Sequence, residues 1–246
     1  MSAVARDVTP AVTLRAGRVL LDVPTAVRLS LLVGLAAAAL GLVPATAAAW
    51  ALARGQFRGK SLVSALVLTP LVLPPVVTGL LLLELFGRGS PVGRAFSAAG
   101  FPVPFSLLGA VFAALIVGFP VYVMAIRGAL EAVDPRYEEV SLSLGVPPAR
   151  TAWRVTLPLA FPGIAAGIVL AFARGLGEFG ATAVIAGNIE GRTRTIALAV
   201  YALLDAPGED PRLWTLVGAS FAVSVAALIG YEALNRWQRK RLELDG

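Results

Sequence analysis

The chain has 246 residues, of which 57% are hydrophobic and 15% charged, and its mean hydropathy is +0.80. That is too apolar for a soluble domain of this length and points to an all-α polytopic membrane protein. Cysteine and histidine are absent, which excludes disulfides, thiolate chemistry, imidazole metal ligation and the commonest general base. The net charge of +6 fits basic loops held at an anionic cytoplasmic membrane face, and no nucleic-acid partner is expected.

Residues 1–24 are mixed in character and read as an N-terminal tail or a short surface helix. A transmembrane domain is expected over 25–236, and a cytoplasmic tail over 237–246. Residues 29–53 run without a charge, long enough for a first span, which needs about 20 residues. Ala45-Thr46-Ala47 resembles a signal-peptidase site, but the apolar run continues well past it, so a retained span is expected. Further spans are read at 61–83, 101–126, 162–186 and 213–231, giving about five. A six-span count, with a membrane-embedded helix over 193–204, is the alternative.

Basic residues concentrate in cytoplasmic loops. Arg54, Arg58 and Lys60 follow the first span; Arg127, Arg136, Arg150 and Arg154 follow the third; Arg236, Arg239, Lys240 and Arg241 follow the fifth. With five spans these groups share one side, which places the N-terminus outside and the C-terminus inside. The expected location is the cell inner membrane, with several passes and contact with its lipids.

The second span carries Pro70, Pro74 and Pro75. Each proline frees the carbonyl four residues earlier, at Leu66, Pro70 and Leu71. In lipid such groups are tolerated only against protein or water, so a broken helix facing the protein interior is expected. A gating or pathway-lining role and a fixed packing kink both remain open.

The loop over 127–158 is polar and well punctuated. Asp134 is placed as an N-cap, with Pro135 at the first helical position and Glu138 and Glu139 near the positive end of the helix dipole. Tyr137, Val140 and Leu144 fall at helical spacing and make one narrow apolar face. Gly145 is placed to end the helix in a left-handed conformation. Pro147 and Pro148 allow a second short helix to about Leu157, and Pro158 and Pro162 should then break the chain. Such a segment is either an ordinary helical loop or a docking element whose two carboxylates fix its orientation in a groove.

In the fourth span Gly163, Gly167, Ala171 and Gly175 recur every four residues, a stripe suited to close helix approach. Arg174 and Glu178 lie four apart on nearly one face. Ionisable groups in a span usually face a partner or a cavity. Arg before Glu is the weaker order for a pair within one helix, which favours a cross-helix or cross-subunit partner. Two roles stay open: a gate that changes partners between inward- and outward-open states, and a static pair that orients the helix. At the outer end, Asn188 to Thr195 reads NIEGRTRT, donors suited to an oxyanion or to an outer polar loop. No GxxxxGK[ST] phosphate loop is present, so the chain is not expected to cradle ATP phosphates by that device.

EEVSLSLG over 138–145, followed by Leu157-Pro158, resembles the EAA motif of bacterial ABC-importer permeases. Glu138, Gly145, Leu157 and Pro158 match, while Glu139 and Val140 replace the two alanines. The run from Ala171 to Thr195, with GEFGA and GRTRT, is similar to the molybdate permease branch. The resemblance implies a type I importer permease that moves molybdate by alternating access. Tungstate or sulfate is the alternative within the fold; a membrane sensor or an intramembrane enzyme is the alternative outside it. It also implies a homodimer, an external oxyanion-binding protein, and cytoplasmic ATPase subunits that hold ATP and Mg. The chain itself is expected to be non-catalytic and free of cofactors and metals. The implied ATPase-coupling residues are Tyr137, Glu138, Glu139, Val140, Leu144, Gly145, Leu157 and Pro158. The implied gate or pathway residues are Arg174, Glu178, Phe179, Gly180, Pro74 and Pro75. No substrate-binding set is readable.

Overall fold

The computed structural model describes residues 22–206 and 210–244. The expected tail over 1–24 lies outside them except at its end, where Val23 already begins a helix. Among the described residues the chain is helical, without strands.

Helix α1 runs Val23–Arg54, uninterrupted through Pro44 and Ala45, and at about 1.5 Å per residue exceeds the ~30 Å hydrocarbon core. Helices α2 (Lys60–Val72) and α3 (Pro75–Phe86) meet at Pro74 with a bend of 112°. The break expected from the prolines is present. Its interior position holds for one half alone: α3 buries Thr78, Gly79, Leu82 and Phe86, whereas α2 buries none of its residues in this chain. A short α4 (Pro91–Ala98) precedes α5 (Leu107–Glu131). The third span therefore starts later than residue 101, because the segment with Pro102 and Pro104 is non-helical, turning at Phe105 with φ +56°, and Ser106 caps the helix.

Beyond it come α6 (Pro135–Ser143) and α7 (Pro148–Thr151), then a π turn (Ala152–Thr156) that leads directly into α8 (Leu157–Leu176). Here the sequence reading is corrected: Pro158 and Pro162 do not break the chain, and Pro148–Leu176 is one continuous span. The π turn supplies the reason. Leu157 N–H donates to Ala152 O, five residues back, which widens the helix at the point where the Pro158 ring would meet the carbonyl of Arg154. A second correction concerns the far end of this span. It stops at Leu176 and does not run to 186, and α9 (Gly180–Ile185) starts afresh. Helix α10 (Ile196–Leu204) has nine residues, too short to cross a membrane. Helix α11 (Arg212–Leu244) carries the last span and continues past the boundary expected at residue 236. Among the described residues four helices are long and apolar enough to cross, or five if the bent α2–α3 pair is one span.

Helices α1, α5 and α8 form the centre. The small stripe of α8 makes this possible: a Cβ on Gly167 would sit 3.3 Å from Ala125 and Ile126, and one on Gly175 3.6 Å from the Gly34 Cα of α1. Tyr122 of α5 donates its hydroxyl to Ala38 O of α1 at 3.2 Å, so its polar end is satisfied inside the bundle. One apolar cluster, with Leu52, Tyr122, Ile126 and Leu130, lies toward the α6 end. Another, with Val33, Phe86, Val117 and Ile185, lies toward the α9 end.

The tightest approach is between α3 and α9. A Cβ on Gly79 would come within 2.7 Å of Ala181 O and 2.8 Å of its Cα, both backbone atoms that cannot swing aside. Gly79→Val is therefore expected to destabilise the fold by about 3 kcal/mol, the upper part of the overpacking range. A thermal unfolding scan of purified protein checks this; an unchanged midpoint would mean that α3 and α9 can part freely.

Candidate functional sites

Two constellations stand out, one at each end of α8.

The first is the α6 hairpin. Asp134 accepts from Arg136 N–H and Pro135 opens the helix, as expected of a capped start. Gly145 ends it with φ +80°, a conformation that strains any residue with a Cβ. Ser141 is buried and shares a 2.8 Å hydrogen bond with Thr151, which pins α6 onto α7. The opposite side is bare: Tyr137, Val140 and Leu144 are all exposed, Leu144 at 77%. Glu139 also faces out, but Glu138 does not behave as its neighbour does. The Glu138 carboxylate turns inward and accepts from Arg54 (2.9 Å) and from the Thr156 hydroxyl (2.9 Å). Leu157 and Pro158 lie apart from the apolar face. Leu157 packs against the central cluster, and Pro158 is exposed at the head of α8.

The second constellation is the junction of α8 and α9. Arg174 and Glu178 pair with each other at 3.3 Å, so a partner on another helix is not needed to explain them. Glu178 is 3% exposed, and its other oxygen accepts from Ala181 N–H at 2.8 Å. The carboxylate thus caps the first turn of α9, where the orphan N–H groups and helix dipole favour a negative charge. Phe179 packs on Tyr201 of α10, ring centroids 5.1 Å apart. Gly180 has no room for a Cβ, which would fall 2.9 Å from the Pro75 side chain. The structure therefore brings Glu178, Phe179 and Gly180 together with the Pro74–Pro75 break, two groups that are about 100 residues apart in sequence.

The 188–195 run folds on itself. Arg194 donates to Asn188 Oδ1 at 2.8 Å, and Thr193 bridges Gly187 O and Ile189 N–H. Gly187 and Gly191, both at φ +69°, make the reversal. Thr193 and Arg194, two of the four side-chain donors noted for an oxyanion, are thus engaged within the loop.

Sequence reasoning missed Arg54 and Thr156 as partners of Glu138. Arg54 was visible as a basic residue ending the first span, but nothing local ties it to a position 84 residues away. Ser30, which accepts from Ile196 N–H at 2.7 Å, was missed for the same reason.

A bundle of helices long and apolar enough to cross a membrane, with a capped, outward-facing helical hairpin, defines a multi-pass membrane protein. Residues 26–241 match the family described as binding-protein-dependent transport system inner membrane component, and the chain belongs to that family. It is 41% identical to the molybdenum transport system permease protein ModB of Haemophilus influenzae over 220 residues, 89% of this chain and 94% of that protein. Over 194 residues it is 46% identical to the Escherichia coli K12 protein of the same name, covering 78% of this chain and 85% of that one. A crystal structure of an amino acid ABC transporter with histidines shares the fold, with a TM-score of 0.60 at 19% identity over 89% of this chain and 93% of the other.

Proposed function

We propose that this chain is the permease subunit of an ATP-driven importer that carries molybdate across the inner membrane. The likeness to permeases named for molybdenum transport, along most of both chains, carries this reading. The transported species is the intact dianion, and the chain performs no chemistry on it. Tungstate and sulfate resemble molybdate in charge and shape, and they are the competitors the test must separate.

Two copies of the chain enclose the route. The exposed apolar faces of α2 and α11 support a partner copy or lipid on those sides. ATPase subunits, holding ATP and Mg, dock on the cytoplasmic side over Tyr137, Val140 and Leu144, with Glu139 at the rim. An external binding protein delivers the ion. Closure of the ATPases draws the two α6 helices together, and α8 carries the movement to the α8–α9 junction beside Pro74 and Pro75. Each state must make different contacts there, because a ligand shifts an equilibrium only through its differential affinity for the two states.

Elemental analysis of cells lacking the protein, grown at trace molybdate with and without excess sulfate, tests the assignment. Molybdenum is expected to fall to background, with sulfur unaffected. Normal molybdenum with lost sulfur would overturn the substrate, and unchanged levels of every oxyanion would overturn the transport reading.

A further inference from the structure

Glu138 lies in the segment that carries the docking face, yet its side chain turns back onto its own chain. Both Nε (3.1 Å) and Nη2 (2.9 Å) of Arg54 reach Glu138 Oε1, and the same Nη2 donates to Val133 O at 3.1 Å. Thr156 donates to that oxygen from within the π turn. Four chain segments therefore meet around one ion pair: the last residue of α1, the turn after α5, the first turn of α6, and the π turn that opens α8. The two ionic side chains are about one-fifth exposed, so water screens them only in part. Val133, whose carbonyl accepts from Arg54, is buried, and so is Leu52, two residues before Arg54.

We infer that Arg54 is a positioning residue for energy coupling. Through Glu138 it holds α6 rigidly to the ends of α1 and α8, so that a push on the docking face moves those helices and is not absorbed by the hairpin. The geometry favours this over a direct contact of Glu138 with the ATPase. Oε1 of Glu138 already accepts from Arg54 and Thr156, which draws the side chain toward α1 and the π turn while Tyr137, Val140 and Leu144 stand exposed. The π turn adds to the argument. Helical hydrogen bonding is looser there, and without the Thr156 and Arg54 contacts the hairpin would hang from α8 by its weakest turn.

This inference rests on the permease reading, and the test separates the two. Arg54→Gln, Glu138→Gln and the double variant are purified with the ATPase and reconstituted, and ions transported per ATP hydrolysed are measured. Both residues acting through one contact predicts that each single variant lowers this ratio about tenfold and the double variant no further, since coupled residues are non-additive. Arg54→Lys, which keeps a donor and the charge, should recover part of the loss. Multiplicative losses in the double variant would assign Glu138 an independent contact and overturn the proposal. If the unaltered complex moves no ion, the permease reading itself fails. A second readout does not depend on transport. The chain contains no cysteine, so a nitroxide on Ser143→Cys is a unique label on exposed α6. Arg54→Gln should sharpen its spectrum toward the mobile limit, and an unchanged spectrum would show that Arg54 does not hold α6.

Discussion

Replacing Val140 and Leu144 together with glutamate should abolish recovery of the ATPase with this chain while leaving the chain folded in the membrane. Both side chains are exposed, and neither belongs to the apolar clusters that hold the bundle, so the substitution removes no internal packing. Their effect falls on what covers them. Apolar anchors seated in a groove contribute about 2 kcal/mol each when they act as hot spots, and two together correspond to roughly a 10³-fold weaker association. A carboxylate forced into the same groove adds a desolvation cost. Co-purification from membranes measures the association, and an unchanged unfolding midpoint establishes that the bundle is intact. Normal recovery of the ATPase would place its docking surface elsewhere on the chain.

The elements that were legible in the sequence are those whose cause is local. Asp134, Pro135 and Gly145 delimit α6 because a cap, a first-turn proline and a left-handed glycine act within a few residues of themselves. The Pro74–Pro75 break was legible for the same reason. Pro158 and Pro162 obey the same local rule and gave the wrong expectation. A π turn accommodates the first, and the second is buried inside α8, where packing outweighs the lost hydrogen bond. Hydropathy located the last span but not the end of its helix, since a helix can leave the membrane without stopping.

Contacts between distant segments were the part that remained hidden. The α6 face could be read from spacing, but the inward turn of Glu138 depends on Arg54, and no periodicity links the two. Span four showed its small stripe plainly, yet the reading carried one helix through three glycines. Gly177 ends α8, and the restart at Gly180 is made by the Glu178 cap and by the absence of a Cβ beside Pro75. Sequence gave Glu178 a charge partner to look for; the structure gives it a backbone N–H as well.

That double engagement decides what happens when Arg174 and Glu178 are changed. Glu178→Ala alone removes the cap of α9 and leaves the Arg174 cation without its partner. Breaking such a pair costs about 3 kcal/mol, the lower end of the buried range, because Arg174 is about one-third exposed. The loss should appear as poor recovery of folded protein. Arg174→Gln with Glu178→Gln is different. The amide oxygen at 178 can still accept from Ala181 N–H, so α9 keeps its cap and its seat against Pro75 and Gly79, and assembly with the ATPase should be close to normal. What disappears is the ionic restraint across the α8–α9 junction. If that restraint differs between the inward- and outward-open states by about 1.4 kcal/mol, transport falls about tenfold at unchanged assembly. Uptake by proteoliposomes containing the double variant, normalised to the amount of intact complex, measures this. Normal uptake would make the pair a static brace of the junction, and the gate would then have to be sought among Phe179, Tyr201 and the α3 break.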